Sequence, residues 1–212
     1  MALDSYSALQ TSIGSFLNRS DMATIAPDFI TMAEAQINRR LIKDGPVRQM
    51  MGRSDATINT EFTAIPDDFM GMRAIVLDGV VYNLEFCEPE KLAELKVNYQ
   101  GQGGDPSHYS IVGGQIQLWP WGGSGSYDAE ITYWKRIPAL SDSNTTNWLL
   151  DEHPDIYLYT SLIQSAPYLK DDNRLVVWAN MAAQAIADLI GADKVSRLAP
   201  QQAVPIPSGG AY

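Results

Sequence analysis

Apolar residues recur every three or four positions near the start of the chain, which predicts two amphipathic helices. The first begins at Asp4, a residue type favoured at helix N-caps, and extends to about Asn18. The second covers residues 27–43 and stops at Gly45-Pro46, because glycine and proline both end helices. The expected buried faces are Tyr6, Leu9, Ile13, Phe16 and Leu17 in the first helix and Ile30, Ala33, Ile37 and Leu41 in the second.

A second pair of helices is predicted near residues 153–170 and 172–190, with the latter reaching Leu198 if its pattern continues. Pro154 suits the first turn of a helix, where no N–H is needed, and Asp155 suits the positive end of the helix dipole. The expected buried face of the first of these helices is Ile156, Tyr159, Leu162, Ile163 and Ala166, and the expected caps of the next are Asp171, Asp172 and Asn173.

Between the two helix pairs the periodicity changes to the alternation typical of strands. Two hairpins are predicted, one turning at Asp78-Gly79 and one at Gly113-Gly114, since both dipeptides favour tight turns. Residues 88–99 have a short helical pattern, and Cys87 before them is expected to be a small core residue rather than a nucleophile. The predicted strands are Met72–Leu77, Val80–Phe86, His108–Val112, Gln115–Trp119 and Tyr127–Trp134.

The order of two helices, a β-rich middle and two helices predicts an α+β fold. Each terminal pair has an apolar face too large to leave in water, and packing the pairs against each other buries both. We therefore expect residues 1–56 and 137–199 to form one helical bundle, into which an antiparallel β-rich region, residues 57–136, is inserted. Residues 200–212 contain three prolines, two glycines and no charge, and are expected to be extended.

Several segments resemble recurring stretches of the head-to-tail adaptor (neck or connector) proteins of tailed bacteriophages, of the kind found below the portal in short-tailed phages. These segments are IAPDFI and EAQINRRL within residues 25–41, IPDDF at 65–69, and the stretch 138–171 that contains TNWLL, PDIYLY and APYL. They are spread over most of the chain, and none of them is a catalytic signature.

The resemblance implies a structural virion protein of the head–tail junction, assembled in the host cytoplasm as a ring, with twelve copies as the expected number. The implied partners are the portal protein, other copies of the chain and a tail or nozzle protein, and DNA passes through without being held. In such adaptors the C-terminal segment often reaches along the portal. That would make Pro200, Val204, Pro205, Ile206, Pro207 and Tyr212 a portal-docking arm, with a frayed tail as the alternative.

The charge distribution does not favour a protein that binds DNA through its phosphates. The net charge is −10, and residues 61–136 carry eleven acidic side chains against five basic ones, whereas a DNA-binding protein presents a basic stripe to the phosphates. One basic cluster, Arg39, Arg40, Lys43, Arg48 and Arg53, lies at the end of the second predicted helix and beyond it. Its cations either complement the helix C-terminus or form a docking patch for an acidic neighbour. Arg39, Arg40 and Lys43 are therefore candidates for a subunit or tail interface.

Trp119 and Trp121 are further candidates for a subunit or tail interface, because aromatic residues are enriched at protein contacts. They lie beside the glycine- and serine-rich segment 122–126, and aromatic residues on such loops also bind ligands. A module that binds a carbohydrate or another ligand through this aromatic region is the alternative function.

No motif supports an enzyme, a cofactor or a metal. The glycine-rich segment 101–105 lacks the Lys-Ser/Thr pair of a phosphate-binding loop, and His108 and His153 do not have metal-ligand spacing. No stretch approaches the run of about 20 apolar residues that spans a bilayer, and residues 1–10 lack the features of a signal peptide. We expect a protein that folds in the cytoplasm and has no membrane partner.

Overall fold

The computed structural model of the protein describes residues 3–101, 103–121, 125–168 and 173–198. Contacts within it divide the chain into two compact units. The helical unit is the described part of residues 1–49 and 137–212, and the β unit is Met50–Arg136. The predicted α+β class is confirmed, with helices from both ends of the chain in one unit and antiparallel strand pairs in the other.

The described residues form six α-helices and seven strands. The helices are α1 (Tyr6–Leu17), α2 (Ala26–Asp44), α3 (Pro89–Asn98), α4 (Trp148–Glu152), α5 (Pro154–Gln164) and α6 (Arg174–Leu198). The strands are β1 (Met51–Ile58), β2 (Phe62–Ala64), β3 (Phe69–Leu77), β4 (Glu85–Phe86), β5 (His108–Val112), β6 (Gln115–Trp119) and β7 (Tyr127–Lys135). Short 3-10 turns cover Ser20–Thr24, Arg48–Met50 and Ala166–Tyr168.

Helix α5 is the centre of the helical unit, because it contacts α1, α2, α4 and α6. The expected buried face of α5 is therefore only partly right. Ile156 and Leu162 are buried as expected, but Tyr159 and Ile163 are half-buried, and Tyr157 is completely buried. A helix surrounded by other helices is buried on more than one side, so a single apolar stripe does not describe it.

Some predicted helix ends are wrong, and the largest error is at the helix predicted to reach residue 170, which ends at Gln164. The N-cap of α1 is Ser5, not Asp4, since the Ser5 hydroxyl accepts the Ala8 N–H at 3.3 Å. Helix α4 was not predicted. It is capped by Asn147, whose side-chain oxygen accepts the N–H groups of Leu149 at 3.1 Å and Leu150 at 3.0 Å. The second predicted helix is confirmed as α2, and α6 does reach Leu198. Asp171 and Asp172 lie outside the described residues.

The β unit contains a three-stranded antiparallel sheet, in the order β1-β7-β3, and a four-stranded sheet, in the order β2-β6-β5-β4. The hairpin at Gly113-Gly114 is confirmed, and both glycines adopt positive φ angles of 57° and 79°. The two sheets share one buried cluster. Its members are Ile58, Ile75, Leu77, Leu84, Tyr109, Ile116, Leu118, Ala129, Ile131 and Tyr133.

The hairpin predicted at Asp78-Gly79 is wrong. The turn forms, with Gly79 at φ 80°, but β3 pairs with β7, and β4 lies parallel to β5 in the other sheet. Strand β1, which was not predicted, pairs with β7 from Met51 to Ile58. These long-range pairings give β7 a neighbour on each side. Local alternation does not reveal them, because it carries no information about the partner of a strand.

Candidate interaction surfaces

Polar side chains form a hydrogen-bonded group inside the helical unit, which we call the buried network: Glu34, Asn38, Asn147 and Tyr157. The Tyr157 hydroxyl accepts a hydrogen bond from the Asn147 amide at 2.7 Å and donates one to Glu34 Oε1 at 3.2 Å. The same carboxylate oxygen accepts the Leu140 N–H at 2.7 Å. Burial raises the pKa of Glu34, and these two hydrogen bonds oppose that shift. Burial and the Glu34 carboxylate together raise the pKa of Tyr157.

The buried network holds the segment through which the chain re-enters the helical unit. Asn38 Oδ1 accepts the Ile137 N–H at 3.0 Å, and the Asn147 amide donates to the Pro138 carbonyl at 2.7 Å. Backbone groups that leave water need such partners, since an unpaired buried group costs about 1–3 kcal/mol. The network therefore fixes the path of residues 137–147, which have few backbone hydrogen bonds of their own.

Most of the predicted basic cluster is used in ion pairs within its own unit. Arg40 pairs with Asp44 one helical turn away, Arg48 Nε lies 3.3 Å from Asp193, and Arg53 bridges two carboxylates in the β unit. Arg39 and Lys43 are exposed on α2 and have no ion pair within the described part of the chain. Of the predicted interface residues, Arg39 and Lys43 therefore remain available for a partner, whereas Arg40 is already paired.

The solvent-facing side of the three-stranded sheet is acidic, and we call it the outer sheet face: Asp55, Thr57, Val76, Asp78, Asp128 and Glu130. Asp55 lies opposite Glu130 on the neighbouring strand, and Thr57 donates to Asp128 at 2.8 Å. Arg53 contacts Asp55 at 3.1 Å and Glu130 at 2.9 Å. The face surrounds a concavity of about 560 Å³. Sequence analysis missed this surface because its strands come from three separate parts of the chain.

Trp119 and Trp121 line a groove of about 410 Å³ in the β unit, together with Tyr99 from the end of α3. The Tyr99 and Trp119 rings lie 6.2 Å apart, and Trp121 meets Tyr127 edge to face at 5.8 Å. An ion pair between Glu61 and Lys96 closes one side of the groove. Both tryptophans are half-buried, so each keeps part of its ring available for a partner or a ligand.

Helix α6 exposes an unusual amount of apolar surface. Arg174–Arg197 is long and apolar enough to cross a membrane by length and composition, with a mean hydropathy of 1.4 and 28% of the window buried. This differs from the expectation that no such stretch exists. The exposed side nevertheless carries a polar row, Asn180, Gln184 and Asp188, at a spacing of one helical turn. Charged and polar residues are rare on lipid-facing surfaces, so this row fits a protein or water neighbour better than lipid.

The comparison with protein families identifies the family of the chain. Residues 4–205 match the family model described as SU10 adaptor protein, a family of phage head-to-tail adaptors. The chain belongs to this family. No curated protein matches it at a significant level.

The match confirms the adaptor resemblance. The segments that carry the resemblance supply the residues of the buried network. Glu34 and Asn38 come from the segment 25–41, and Asn147 and Tyr157 come from the segment 138–171. In this adaptor the two resembling segments therefore meet inside the helical unit. Their side chains bond to the backbone of residues 137–140 and so hold that segment in place.

The adaptor family is structural, and the described residues contain little that favours catalysis. The nearest arrangement is Ser107 Oγ 2.8 Å from His108 Nδ1, with Glu85 3.9 Å from the other ring nitrogen. That last distance is too long for a hydrogen bond, and Glu85 is largely exposed, so it does not orient the imidazole. Among the described residues no group of three or more His, Cys, Asp or Glu side chains is placed to hold a metal ion. Cys87 is half-buried, and burial raises the pKa of its thiol, which disfavours the reactive thiolate.

Pro200, Val204, Pro205, Ile206, Pro207 and Tyr212 all lie outside the described residues.

Proposed function

We propose that this adaptor forms a ring that joins the portal to the tail and lets the genome pass during ejection. The observation that carries the proposal is the family match, which covers both units. Twelve copies is the expected number, and the virion neck is the expected location. The structure supports assembly through its exposed apolar residues: Val176 and Val195 on α6 are 67% and 69% exposed. Exposed apolar patches on soluble proteins commonly mark contacts with other proteins.

Mass photometry of the purified protein, alone and after addition of portal protein, tests this proposal. Binding to the portal aligns neighbouring copies and raises their effective concentration, so rings should form on the portal even if the free protein is monomeric. A species with the mass of a portal plus a ring of adaptors supports the proposal. A small dimer that persists unchanged with and without portal contradicts it.

We propose that residues 200–212 are the part of the adaptor that attaches it to the portal. Pro200, Pro205 and Pro207 restrict the free chain, which lowers the ordering entropy that binding must overcome. Val204 and Ile206 provide apolar side chains, and Tyr212 provides an aromatic anchor. Deletion of residues 200–212 should leave the thermal stability nearly unchanged and abolish attachment to the portal. Full portal binding by the truncated protein would mean that the segment is only a frayed tail.

We propose that DNA passes the adaptor without adhering to it. Each phosphate that a protein neutralises adds salt-sensitive affinity, so a passage for a genome should not present many free cations. The excess of acidic residues in 61–212 supports a wall that repels DNA. Purified adaptor should show no more than weak binding to duplex DNA at low salt in a fluorescence anisotropy titration. Tight, salt-dependent binding would contradict this part of the proposal.

The groove of Tyr99, Trp119 and Trp121 supports a second candidate function, a ligand-binding module. Aromatic rings bordered by hydrogen-bonding groups suit a sugar ring, and the Gln117 amide donates to Glu61 at 2.7 Å beside this groove. A carbohydrate array would reveal this function. Mass photometry with portal distinguishes the two candidate functions, because a ligand-binding module should keep the same small mass when portal is added.

A further inference from the structure

We propose that, in the assembled ring, the outer sheet face of one adaptor copy binds the exposed side of α2 of the next copy. We call that side the α2 face: Met32, Gln36, Arg39 and Lys43. These residues follow one another at three- and four-residue spacing and therefore lie on one side of the helix. The inference rests on the proposed ring, and it specifies which two surfaces make the contact between neighbours.

A ring with head-to-tail contacts requires two different and complementary surfaces on each copy. The adaptor has such a pair, one on each unit. The α2 face presents two cations without an ion pair in the described residues, Arg39 and Lys43. The outer sheet face presents four carboxylates, and Arg53 is the guanidinium bonded to two of them. Asp78 and Asp128 are exposed and have no cationic partner among the described residues.

The apolar groups and the shapes of the two surfaces are also complementary. Met32 is 44% exposed on the α2 face, and Val76 is 48% exposed on strand β3 at the edge of the outer sheet face. Val76 lies opposite Glu130, so an apolar side chain that reaches it is flanked by carboxylates. The sheet face is concave and a helix is convex. Covering a sheet face with a helix is a common way of burying it in proteins.

Disulfide trapping tests this contact directly in rings assembled on the portal. In a Cys87→Ser background, one preparation carries Lys43→Cys and a second, with a different affinity tag, carries Asp128→Cys. Mixed rings should give a disulfide between the two kinds of copy under mild oxidation. Neither preparation alone should give one, since the proposed contact joins two different surfaces and not two copies of the same surface. Lys91→Cys, on the exposed surface of α3 where Lys91 pairs with Glu94, is the matched control and should not cross-link to Asp128→Cys.

Charge reversal gives an independent test. Arg39→Glu with Lys43→Glu, or Asp78→Lys with Asp128→Lys, should weaken association between copies by about tenfold or more, because like charges then face each other. The protein that carries all four substitutions should regain assembly, since its charges are complementary again. Thermal stability should change little in each variant, because all four residues are exposed.

The results separate failure of this inference from failure of the proposed function. If the wild type forms rings but the mixed rings lack the Lys43→Cys to Asp128→Cys disulfide, or if the charge-reversed variants still assemble like the wild type, the contact is overturned and the ring is not. If no ring forms with or without portal, the proposed function fails, and the contact fails with it.

Discussion

The helical unit and the β unit place their polar residues in opposite ways. Of the buried polar side chains among the described residues, the β unit contributes Ser110, and the helical unit contributes the rest, including Glu34, Asn38 and Asn147. The β unit has an apolar interior and exposes four of its carboxylates on the outer sheet face. The helical unit therefore uses buried polar groups to fix its own structure, whereas the carboxylates of the outer sheet face are exposed and, in our proposal, bind the next copy.

The largest effect is expected at Tyr157, the fully buried side chain at the centre of the helical unit. Tyr157→Ala should lower the free energy of unfolding by about 3–5 kcal/mol, because it leaves a cavity and removes the hydroxyl from the buried network. Tyr157→Phe should cost about 1–3 kcal/mol, since only the hydrogen bonds are lost. Urea unfolding followed by far-ultraviolet circular dichroism measures both. Equal losses for the two variants would show that the ring of Tyr157 contributes little.

The next largest effect is expected at Glu34. Glu34→Ala removes the acceptor for both the Leu140 N–H and the Tyr157 hydroxyl, so it should lower the free energy of unfolding by about 2–4 kcal/mol. Glu34→Gln is the matched control, because the amide oxygen can accept both hydrogen bonds without a buried charge. Its stability at neutral pH should be at least that of the wild type. A Gln variant as unstable as the Ala variant would mean that the carboxylate itself is needed.

In the β unit the largest single-site effect is expected from close packing rather than from a polar group. A Cβ atom added at Gly52 would lie 2.9 Å from the Tyr133 ring, which belongs to the buried cluster. Gly52→Ala should therefore force the ring aside and cost about 1–3 kcal/mol. Gly71→Ala is the control, since its nearest neighbour would be 3.7 Å away. If thermal unfolding gives the same result for both variants, Tyr133 can move without cost.

The smallest effect concerns pH. Burial raises the pKa of Glu34 above its ordinary value of 4.5, so the folded protein binds the proton more tightly than the unfolded chain does. This contribution to stability is fully present below the unfolded pKa and is lost as pH rises through the folded pKa. The stability of the wild type relative to Glu34→Gln should therefore fall as the pH rises from the unfolded pKa of Glu34 to its folded pKa. A difference that is constant from acid to neutral pH would contradict the raised pKa.

The sequence revealed most helices because each contains its own signal. The apolar pattern of residues 27–43 and the following Gly45-Pro46 predicted α2 within a residue at each end. The Gly113-Gly114 hairpin was also predicted, since its turn and both strands are adjacent in the chain. Strand β1 and the pairing of β3 were missed, because β1 and β3 each pair with β7, which lies more than fifty residues away in the chain.

The candidate surfaces were predicted less well than the fold. Arg39, Lys43, Trp119 and Trp121 were identified from residue type, and the structure leaves all four at least partly accessible. The buried network was missed, although Glu34 and Asn38 interrupt the apolar face of α2 at a spacing of one turn. A polar residue in an apolar stripe is a signal for a buried hydrogen bond. Its partners could not be named, because Leu140 and Tyr157 are more than one hundred residues away.

The most direct test of the account is one experiment on two variants, in which the mass of the portal-bound assembly and the thermal stability are measured together. Tyr157→Phe should lower the thermal stability, and at a temperature where it is folded it should still assemble into a complete ring on the portal. Arg39→Glu with Lys43→Glu should keep the stability of the wild type and fail to complete the ring. The opposite result is that the charge-reversed protein forms rings of wild-type mass and fully folded Tyr157→Phe does not. It would contradict the account, because the buried network should stabilise the fold and the α2 face should bind the next copy.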